Sequence, residues 1–519
     1  MLEPIVTVVD LRIAFEVDNE PVEVDDDGSS LLDVLRGPLG RRAPKDGCSP
    51  QGQCGCCTVL VDGVPRVACV TPARRVAGRS ITTLDGLPAE VRQRWAEAFV
   101  ATGASQCGFC TPGIITRLSS LDADAPVERA LSAHLCRCTG WRTILDAWDL
   151  FHGSSQAGVD GSRDLEAAGR RATIEGGTTQ RVAVDVALGR GGFAEDTCPP
   201  DAMVAVPNAE GGWVLGETLA EARARAGKVQ GRRSTLHRRH PIEVPEGDWA
   251  LTLRTTWVEP AYLETDASWC VPGGEPATPL ANGGAFGAKT SSPAPATARR
   301  LADETGRPVR VVLSREDCVR LGPKRPPIAA GIRADGTGVV RVVRTPGIVQ
   351  AITSVASGLV VEEVDIPGPP TSIDLRGAGW VEAAVLLAGL TNEQPVTVRS
   401  PAGATATASI EPDGRVRLRV GCGAPLDEVV LRSYCIGAAH MALGWVRSEG
   451  LAVDEQGVVH DLTIRSFGVL RAVDTPLIEL EIVDESGPAV SGSDAVFAAV
   501  AAAAWIADGL GPTWPTSRG

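Results

Sequence analysis

The spacing of its cysteines constrains this chain more than any other feature of the sequence. Nine of the 14 cysteines lie between positions 48 and 138, in two tight groups, which indicates metal ligands. Three thiolates in one glycine-bearing loop plus a fourth from a neighbouring strand can surround a two-iron, two-sulfide core, and the loop is one residue longer than in plant-type ferredoxins. The first group is Cys48, Cys54, Cys56, Cys57 and Cys69, and the second is Cys107, Cys110, Cys136 and Cys138.

Paired cysteines also occur in zinc sites and in disulfide frameworks. Structural zinc sites use similar Cys-x2-Cys pairs, but the Cys136-Arg-Cys138 spacing closes a tetrahedral zinc site poorly. A disulfide framework is typical of short secreted chains, whereas this chain has 519 residues. The remaining cysteines and the six histidines lack ligand-like spacing, so we predict no further metal site.

Charge and hydropathy exclude several partners. The net charge of −14 argues against nucleic acid, since the basic stretch 232–239 is short and isolated. The longest apolar run, 495–506, is shorter than the roughly 20 residues that a membrane span needs, and we predict a buried helix there. The N-terminal residues lack the basic segment of a signal peptide, so we expect a cytoplasmic protein without a membrane partner.

Local patterns predict a multidomain α+β protein. Alternating apolar residues and turns predict two hairpins and one helix around the first cysteine group, and helical periodicity follows near 89–102, 112–120, 126–135 and 141–151. A Gly-, Ser- and Ala-rich stretch then predicts a linker. The expected domains are 1–85 with the first cysteine group, 86–152 with the second, a linker over 153–200, and an α+β domain over 201–519.

Several of these motifs resemble one family. Gly47 to Thr58, then Gln106-Cys-Gly-Phe-Cys-Thr-Pro-Gly113 and Leu135-Cys-Arg-Cys-Thr-Gly-Trp141, are similar to the iron–sulfur subunit of xanthine oxidase family molybdenum hydroxylases. The resemblance implies a β-grasp, ferredoxin-like 2Fe-2S domain facing a flavin partner, and a four-helix 2Fe-2S domain beside a molybdopterin cofactor. It also implies the ligands Cys48, Cys54, Cys57 and Cys69 for one cluster and Cys107, Cys110, Cys136 and Cys138 for the other. Cys56 is left over and competes with Cys57 for the first cluster.

The second half resembles a shortened version of that family's molybdopterin-binding large subunit. Its glycine-rich loop Gly283-Gly284-Ala285-Phe286-Gly287 and the later Arg376-Gly377 stand in the family's order. The resemblance therefore implies molybdopterin contacts at Gln106, Gly283, Gly284, Phe286, Gly287, Arg376 and Gly377.

This half also departs from the family's pattern. It is shorter, and the glutamate expected as general base falls on Ser493, with Asp494 next to it. A general base must reach the reacting group by a hydrogen bond, so the sequence predicts no catalytic residue and argues against catalysis by this chain alone.

Two functions follow as expectations. In the first, the chain is the electron-transfer subunit of a molybdenum hydroxylase type oxidoreductase, of the xanthine dehydrogenase and aldehyde oxidase type. It would pass electrons from a molybdopterin site through two 2Fe-2S clusters to an FAD-binding partner, with a molybdopterin-binding catalytic subunit as a second partner. In the alternative, the chain is a compact hydroxylase that itself binds molybdopterin and oxidises an aldehyde or N-heterocycle.

Overall fold

The computed structural model of the chain describes residues 12–153, 163–227, 236–277 and 284–516. Gly283, one of the expected cofactor contacts, lies outside these residues.

A five-stranded sheet and one helix surround the first cysteine group: β1 Arg12–Val17, β2 Glu20–Asp25, α1 Leu31–Arg36, β3 Thr58–Val61, β4 Val64–Val67 and β5 Ser80–Thr82. The strand order is β2-β1-β5-β3-β4, and both predicted hairpins are present. Helix α1 begins at Ser30, whose hydroxyl accepts the N–H of Asp33 while the Asp33 carboxylate accepts the N–H of Ser30. This reciprocal cap satisfies backbone N–H groups at the start of the helix.

Four helices carry the second cysteine group: α2 Ala89–Thr102, α3 Thr111–Leu118, α4 Val127–Ala130 and α5 Arg142–Phe151. The rings of Trp95 on α2 and Phe151 on α5 stack at 3.8 Å between centroids. Helix α4 ends earlier than the predicted 126–135, because the chain turns so that the Leu135 N–H can donate to the Cys54 carbonyl at 3.0 Å. That turn places the two cysteine groups side by side.

The span predicted as a linker contains three helices among its described residues: α6 Leu165–Gly176, α7 Val184–Ala187 and α8 Ala194–Thr197. Asp164 caps α6 by accepting the N–H groups of Glu166 and Ala167. Helix α6 packs against the long helix at residues 428–447, so this part of the span is folded into the C-terminal half. The domain boundaries themselves stay a prediction.

The described strands of the C-terminal half form three four-stranded sheets. Their orders are β7-β6-β10-β9, β13-β12-β11-β8 and β14-β15-β16-β17. The strands are β6 Met203–Pro207, β7 Trp213–Gly216, β8 Leu251–Arg254, β9 Ala267–Cys270, β10 Val309–Val312, β11 Ile328–Ile332, β12 Gly338–Val343, β13 Leu359–Val364, β14 Val396–Arg399, β15 Thr405–Ile410, β16 Val416–Gly421 and β17 Ile478–Val483. The helices are α9 Leu219–Ala226, α10 Ala294–Thr305, α11 Arg315–Leu321, α12 Ile348–Thr353, α13 Trp380–Thr391, α14 Glu428–Arg447 and α15 Ser493–Ala507.

Helices α14 and α15 pack against each other in the largest core of this half. The alanine-rich helix α15 is buried, as predicted from its sequence. Of the described helices, α14 alone has the length and apolar character of a membrane span, and 89% of that apolar stretch is buried inside the protein. The described residues thus form a multidomain α+β fold.

Candidate functional site

The thiols of the first cysteine group converge on one another. Cys48 is hydrogen-bonded to Cys54 and Cys69, and Cys69 also to Cys57. All four are buried. The hydrogen bonds from Cys54 and then Cys69 hold the pKa of the Cys48 thiol well below its usual value, although burial opposes this. Cys54 is also hydrogen-bonded to Cys56, so the five thiols of this group form one chain of contacts. We call the four predicted ligands Cys48, Cys54, Cys57 and Cys69 the first tetrad.

Backbone amides supply donors to these sulfurs. The N–H of Gln51 lies 3.2 Å from the Cys48 sulfur, and the N–H of Gln53 lies 3.5 Å from it. The N–H of Cys69 donates to the Cys57 sulfur at 3.5 Å. Thiolate ligands and bridging sulfides carry negative charge, so a loop rich in amide donors fits a 2Fe-2S core.

The second cysteine group forms a second tetrad from Cys107, Cys110, Cys136 and Cys138. Cys136 is hydrogen-bonded to Cys110 and Cys138, and Cys138 also to Cys107. The bonds from Cys110 and then Cys138 lower the pKa of the Cys136 thiol well below its usual value. Cys110 directly precedes α3, and its hydrogen bond with Cys136 together with burial raises the pKa of its thiol well above the usual value. Cys107 is the partly exposed member of this set.

Cys56 and His134 lie where the two cysteine groups meet. The sulfur of Cys56 is next to that of Cys54, whereas the contacts of Cys69 run to Cys57. His134 is buried and its Nε2 lies 3.1 Å from the Thr58 hydroxyl; burial lowers its pKa to about 3, so the ring is neutral. The ligand assignment stays a prediction, and the contacts of Cys69 favour Cys57 over Cys56.

The expected molybdopterin contacts that the structure describes are near one another, but they bind protein groups. Gln106 donates from Nε2 to the Cys138 carbonyl and to the Ser433 hydroxyl, both at 3.0 Å. The Arg376 guanidinium lies 3.5 Å from the centre of the Phe286 ring and donates to the Ser493 hydroxyl at 3.0 Å.

Three glycines pack tightly in the same region. A Cβ at Gly287 would overlap the Asp374 carbonyl, and one at Gly377 would lie 2.5 Å from the Trp380 ring nitrogen. The space at Gly284 is also limited, because a Cβ there would come within 2.8 Å of the Arg137 side chain. These glycines therefore allow close packing inside the protein.

The cavity beside these residues is too small for a molybdopterin. It measures about 40 Å³, room for about three water molecules at roughly 10–15 Å³ each. Ligand pockets of proteins typically measure about 300–1,000 Å³. Its walls include Arg137, Gly284, Phe286, Arg376, Met441, Glu449 and Phe497. The described residues that line this cavity thus leave too little room for the cofactor.

Helix α6 brings a buried ion pair to the start of α15, which sequence reasoning did not foresee. The carboxylate of Glu175 accepts the N–H of Gly492 at 3.0 Å and that of Ser493 at 2.9 Å, at the start of α15. Arg171, one turn earlier, pairs with Glu175 and donates to the Val490 carbonyl at 2.8 Å. Both side chains are fully buried. A carboxylate therefore binds the backbone of Ser493, the residue at the expected base position, but it comes from α6 and is held by an arginine and two amides.

Asp494, the carboxylate that the sequence places next to that position, is bound as well. Its carboxylate lies 3.3 Å from Nε of Arg376. Burial raises the pKa of Asp494, and the nearby Arg376 opposes that shift. Glu175 and Asp494 are therefore both engaged in ion pairs with arginines.

Comparison with known proteins identifies the N-terminal part. Residues 83–149 match the [2Fe-2S] binding domain family. One subunit of the nicotinate dehydrogenase of Pseudomonas putida is 40% identical over 143 residues, which cover 26% of this chain and 90% of that protein. The chain belongs to the xanthine dehydrogenase and aldehyde oxidoreductase family of molybdenum hydroxylases. The nicotinate dehydrogenase small FeS subunit of Eubacterium barkeri is 38% identical over 128 residues, covering 23% of this chain and 81% of that protein.

The fold of the whole chain also has a known counterpart. The aldehyde oxidoreductase of Desulfovibrio gigas superposes with a TM-score of 0.66, covering 95% of this chain and 97% of that one at 15% identity. At this identity the likeness concerns the fold. The chain is thus an oxidoreductase of the molybdenum hydroxylase family, whose members use 2Fe-2S clusters and molybdopterin as cofactors.

Proposed function

We propose that this chain is the electron-transferring iron–sulfur component of a molybdenum hydroxylase type oxidoreductase, and that it does not itself hydroxylate. The observation that carries the proposal is the pair of thiol tetrads, buried except for Cys107 and placed side by side where Leu135 bonds to Cys54. When bound, two 2Fe-2S clusters supply one-electron carriers at these positions. The protein's part is to hold eight thiolates, donate amide hydrogen bonds and exclude water.

The partners follow from where the tetrads approach the surface. Residues 50–53, beside the first tetrad, are partly exposed even though Gln51 and Gln53 bond to residues 462–465 of the C-terminal half, and we place an FAD-binding partner on the part of this loop that remains exposed. Helix α14 covers the second tetrad, and Cys107 is its partly exposed thiol, so we place a molybdopterin-binding catalytic subunit near Cys107. The relatives named as subunits of nicotinate dehydrogenases support a multi-subunit enzyme. Because the thiols must stay reduced, we also propose a cytoplasmic location.

The compact hydroxylase is the second candidate, and the likeness of the whole fold to an aldehyde oxidoreductase favours it. Against it stand the cavity of about 40 Å³ and the carboxylate of Glu175 bound at the start of α15. A hydroxylase needs substrate and base in close register, and small misplacements cost about 10²-fold in rate.

The metal content of the purified chain tests both candidates. We expect about four irons and four sulfides per chain with two distinct 2Fe-2S signals by electron paramagnetic resonance, and molybdenum far below one per chain, after expression in a host that makes molybdopterin. Zinc as the native metal would refute the iron–sulfur assignment. Molybdenum at one per chain with turnover of an aldehyde would replace the first candidate by the second.

A matched pair of variants tests the ligands of the first tetrad. Cys57→Ser should remove about half of the iron and one of the two signals, because it deletes a thiolate that contacts Cys69. Cys56→Ser removes the neighbouring thiol and should leave both signals unchanged. The reverse result would assign Cys56 as the ligand.

A further inference from the structure

A buried ion pair joins the second tetrad to the C-terminal half. Arg137 stands between Cys136 and Cys138, and its guanidinium donates to Glu449 through two bonds, of 2.5 Å and 2.7 Å. Its Nε donates to the Pro260 carbonyl at 2.9 Å. Arg137 is 3% exposed and Glu449 is 2% exposed. Two partners separated by 312 residues in the sequence thus share one desolvated charge pair.

The surrounding backbone is built around this pair. A Cβ at Gly444, near the end of α14, would overlap the carboxylate of Glu449. A Cβ at Gly437, two turns earlier, would overlap the Cys138 carbonyl. The same helix therefore lies directly on the cysteine loop and makes room for the glutamate that neutralises the arginine of that loop.

The charge of Arg137 acts on a cluster at the second tetrad through the protein interior, where the dielectric constant is low. One-electron reduction of a 2Fe-2S cluster turns one of its two ferric ions ferrous and adds one negative charge. An uncompensated arginine nearby would favour that reduction, and a paired one favours it far less. We propose that Glu449 sets the reduction potential of the second tetrad's cluster by neutralising Arg137. The C-terminal half then supplies the negative charge that offsets the arginine beside that cluster. This inference rests on the proposed function, because it requires a 2Fe-2S cluster at the second tetrad.

A redox titration of the full chain with dithionite and mediators, read by electron paramagnetic resonance, tests the inference. Glu449→Gln removes the negative charge, and we expect at least a tenfold shift of the reduction equilibrium toward the reduced form, a rise of about 59 mV for one electron. The double variant that adds Arg137→Gln removes both charges and should return the potential close to that of the unchanged chain. A merely structural role of the pair would not produce this reversal.

Two internal controls separate the effect from general loosening of the fold. The first tetrad's signal should keep its potential in every variant. Glu382→Gln breaks another buried pair of the same kind, in which Arg325 donates to Glu382 at 2.7 Å and 2.9 Å, and it should leave both potentials unchanged.

Each outcome decides a separate point. A second signal that is missing from the unchanged chain would overturn the proposed function. A second signal that is present but has the same potential in Glu449→Gln would overturn only the role of Glu449. If Glu449→Gln does not fold, Arg137→Gln decides, because it leaves the negative charge and must lower the potential; an unchanged potential there would overturn the inference.

Discussion

Glu175 offers the sharpest test of how α6 is built into the C-terminal half. Glu175→Gln keeps the length of the side chain but leaves the buried Arg171 without its counter-charge. Removing one partner of a buried ion pair costs about 3–5 kcal/mol in the free energy of unfolding. With a urea m-value of about 3 kcal/mol/M, the midpoint for the C-terminal half should fall by about 1–1.7 M.

The same helix contains a matched control. Glu166 and Arg170 are also four residues apart, but their side chains are 88% and 54% exposed. Exposed pairs at this spacing contribute about 0.3–0.5 kcal/mol, so Glu166→Gln should barely move the midpoint. Urea unfolding followed by tryptophan fluorescence compares the two variants. Equal midpoints for Glu175→Gln and Glu166→Gln would refute the view that α6 is fixed by a buried charge pair.

Two further predictions concern acid stability and helix packing. Burial lowers the pKa of His440 to about 4, below its value near 6.5 in an unfolded chain. Its stabilising effect is therefore complete above pH 6.5 and is lost as the pH falls toward 4, because the unfolded chain binds the proton first. Urea unfolding between pH 7 and 5 gives the slope of the unfolding free energy against pH. In His440→Gln this slope should be smaller than in the unchanged chain by up to about 1.4 kcal/mol per pH unit. An unchanged slope would contradict the prediction. Gly437→Ala should weaken the signal of the second cluster, since the new methyl group would overlap the Cys138 carbonyl; iron content and the first signal provide the comparison.

Sequence patterns within a few residues were sufficient to predict the hairpins, helix α15 and the two cysteine groups. The hairpins and α15 follow from alternation, turn residues and apolar runs. The cysteine groups were visible because metal ligands must be close together, and their spacing in the sequence is short. The structure brings Cys69 to the loop of Cys48, although Cys69 lies on the short 3-10 helix Ala68–Val70 that follows β4 and not on a strand as predicted.

What sequence reasoning missed depends on pairs that are far apart in the chain. Arg171 and Glu175 look like solvated residues of a polar linker, and nothing near them signals that their partners lie beyond residue 420. The only local sign was an acidic cap at Asp164 followed by alanines at helical spacing. The loop at Gly284 and Arg376 was predicted to contact a cofactor, and only the packing of Phe286 under Arg376 reveals how little room remains.

The way the C-terminal half closes over the cysteine loops also bears on how the protein is made. Arg465 donates to the carbonyls of Gln53 and Ser132, and the second of these bonds spans 333 residues. At about 5–20 residues per second, a ribosome needs roughly 15–65 s to synthesise that stretch. During this interval the cysteines have left the ribosome while their cover does not yet exist. We therefore expect the cell's iron–sulfur assembly machinery to act on the nascent chain, and a chain completed in iron-poor cells to resist later reconstitution.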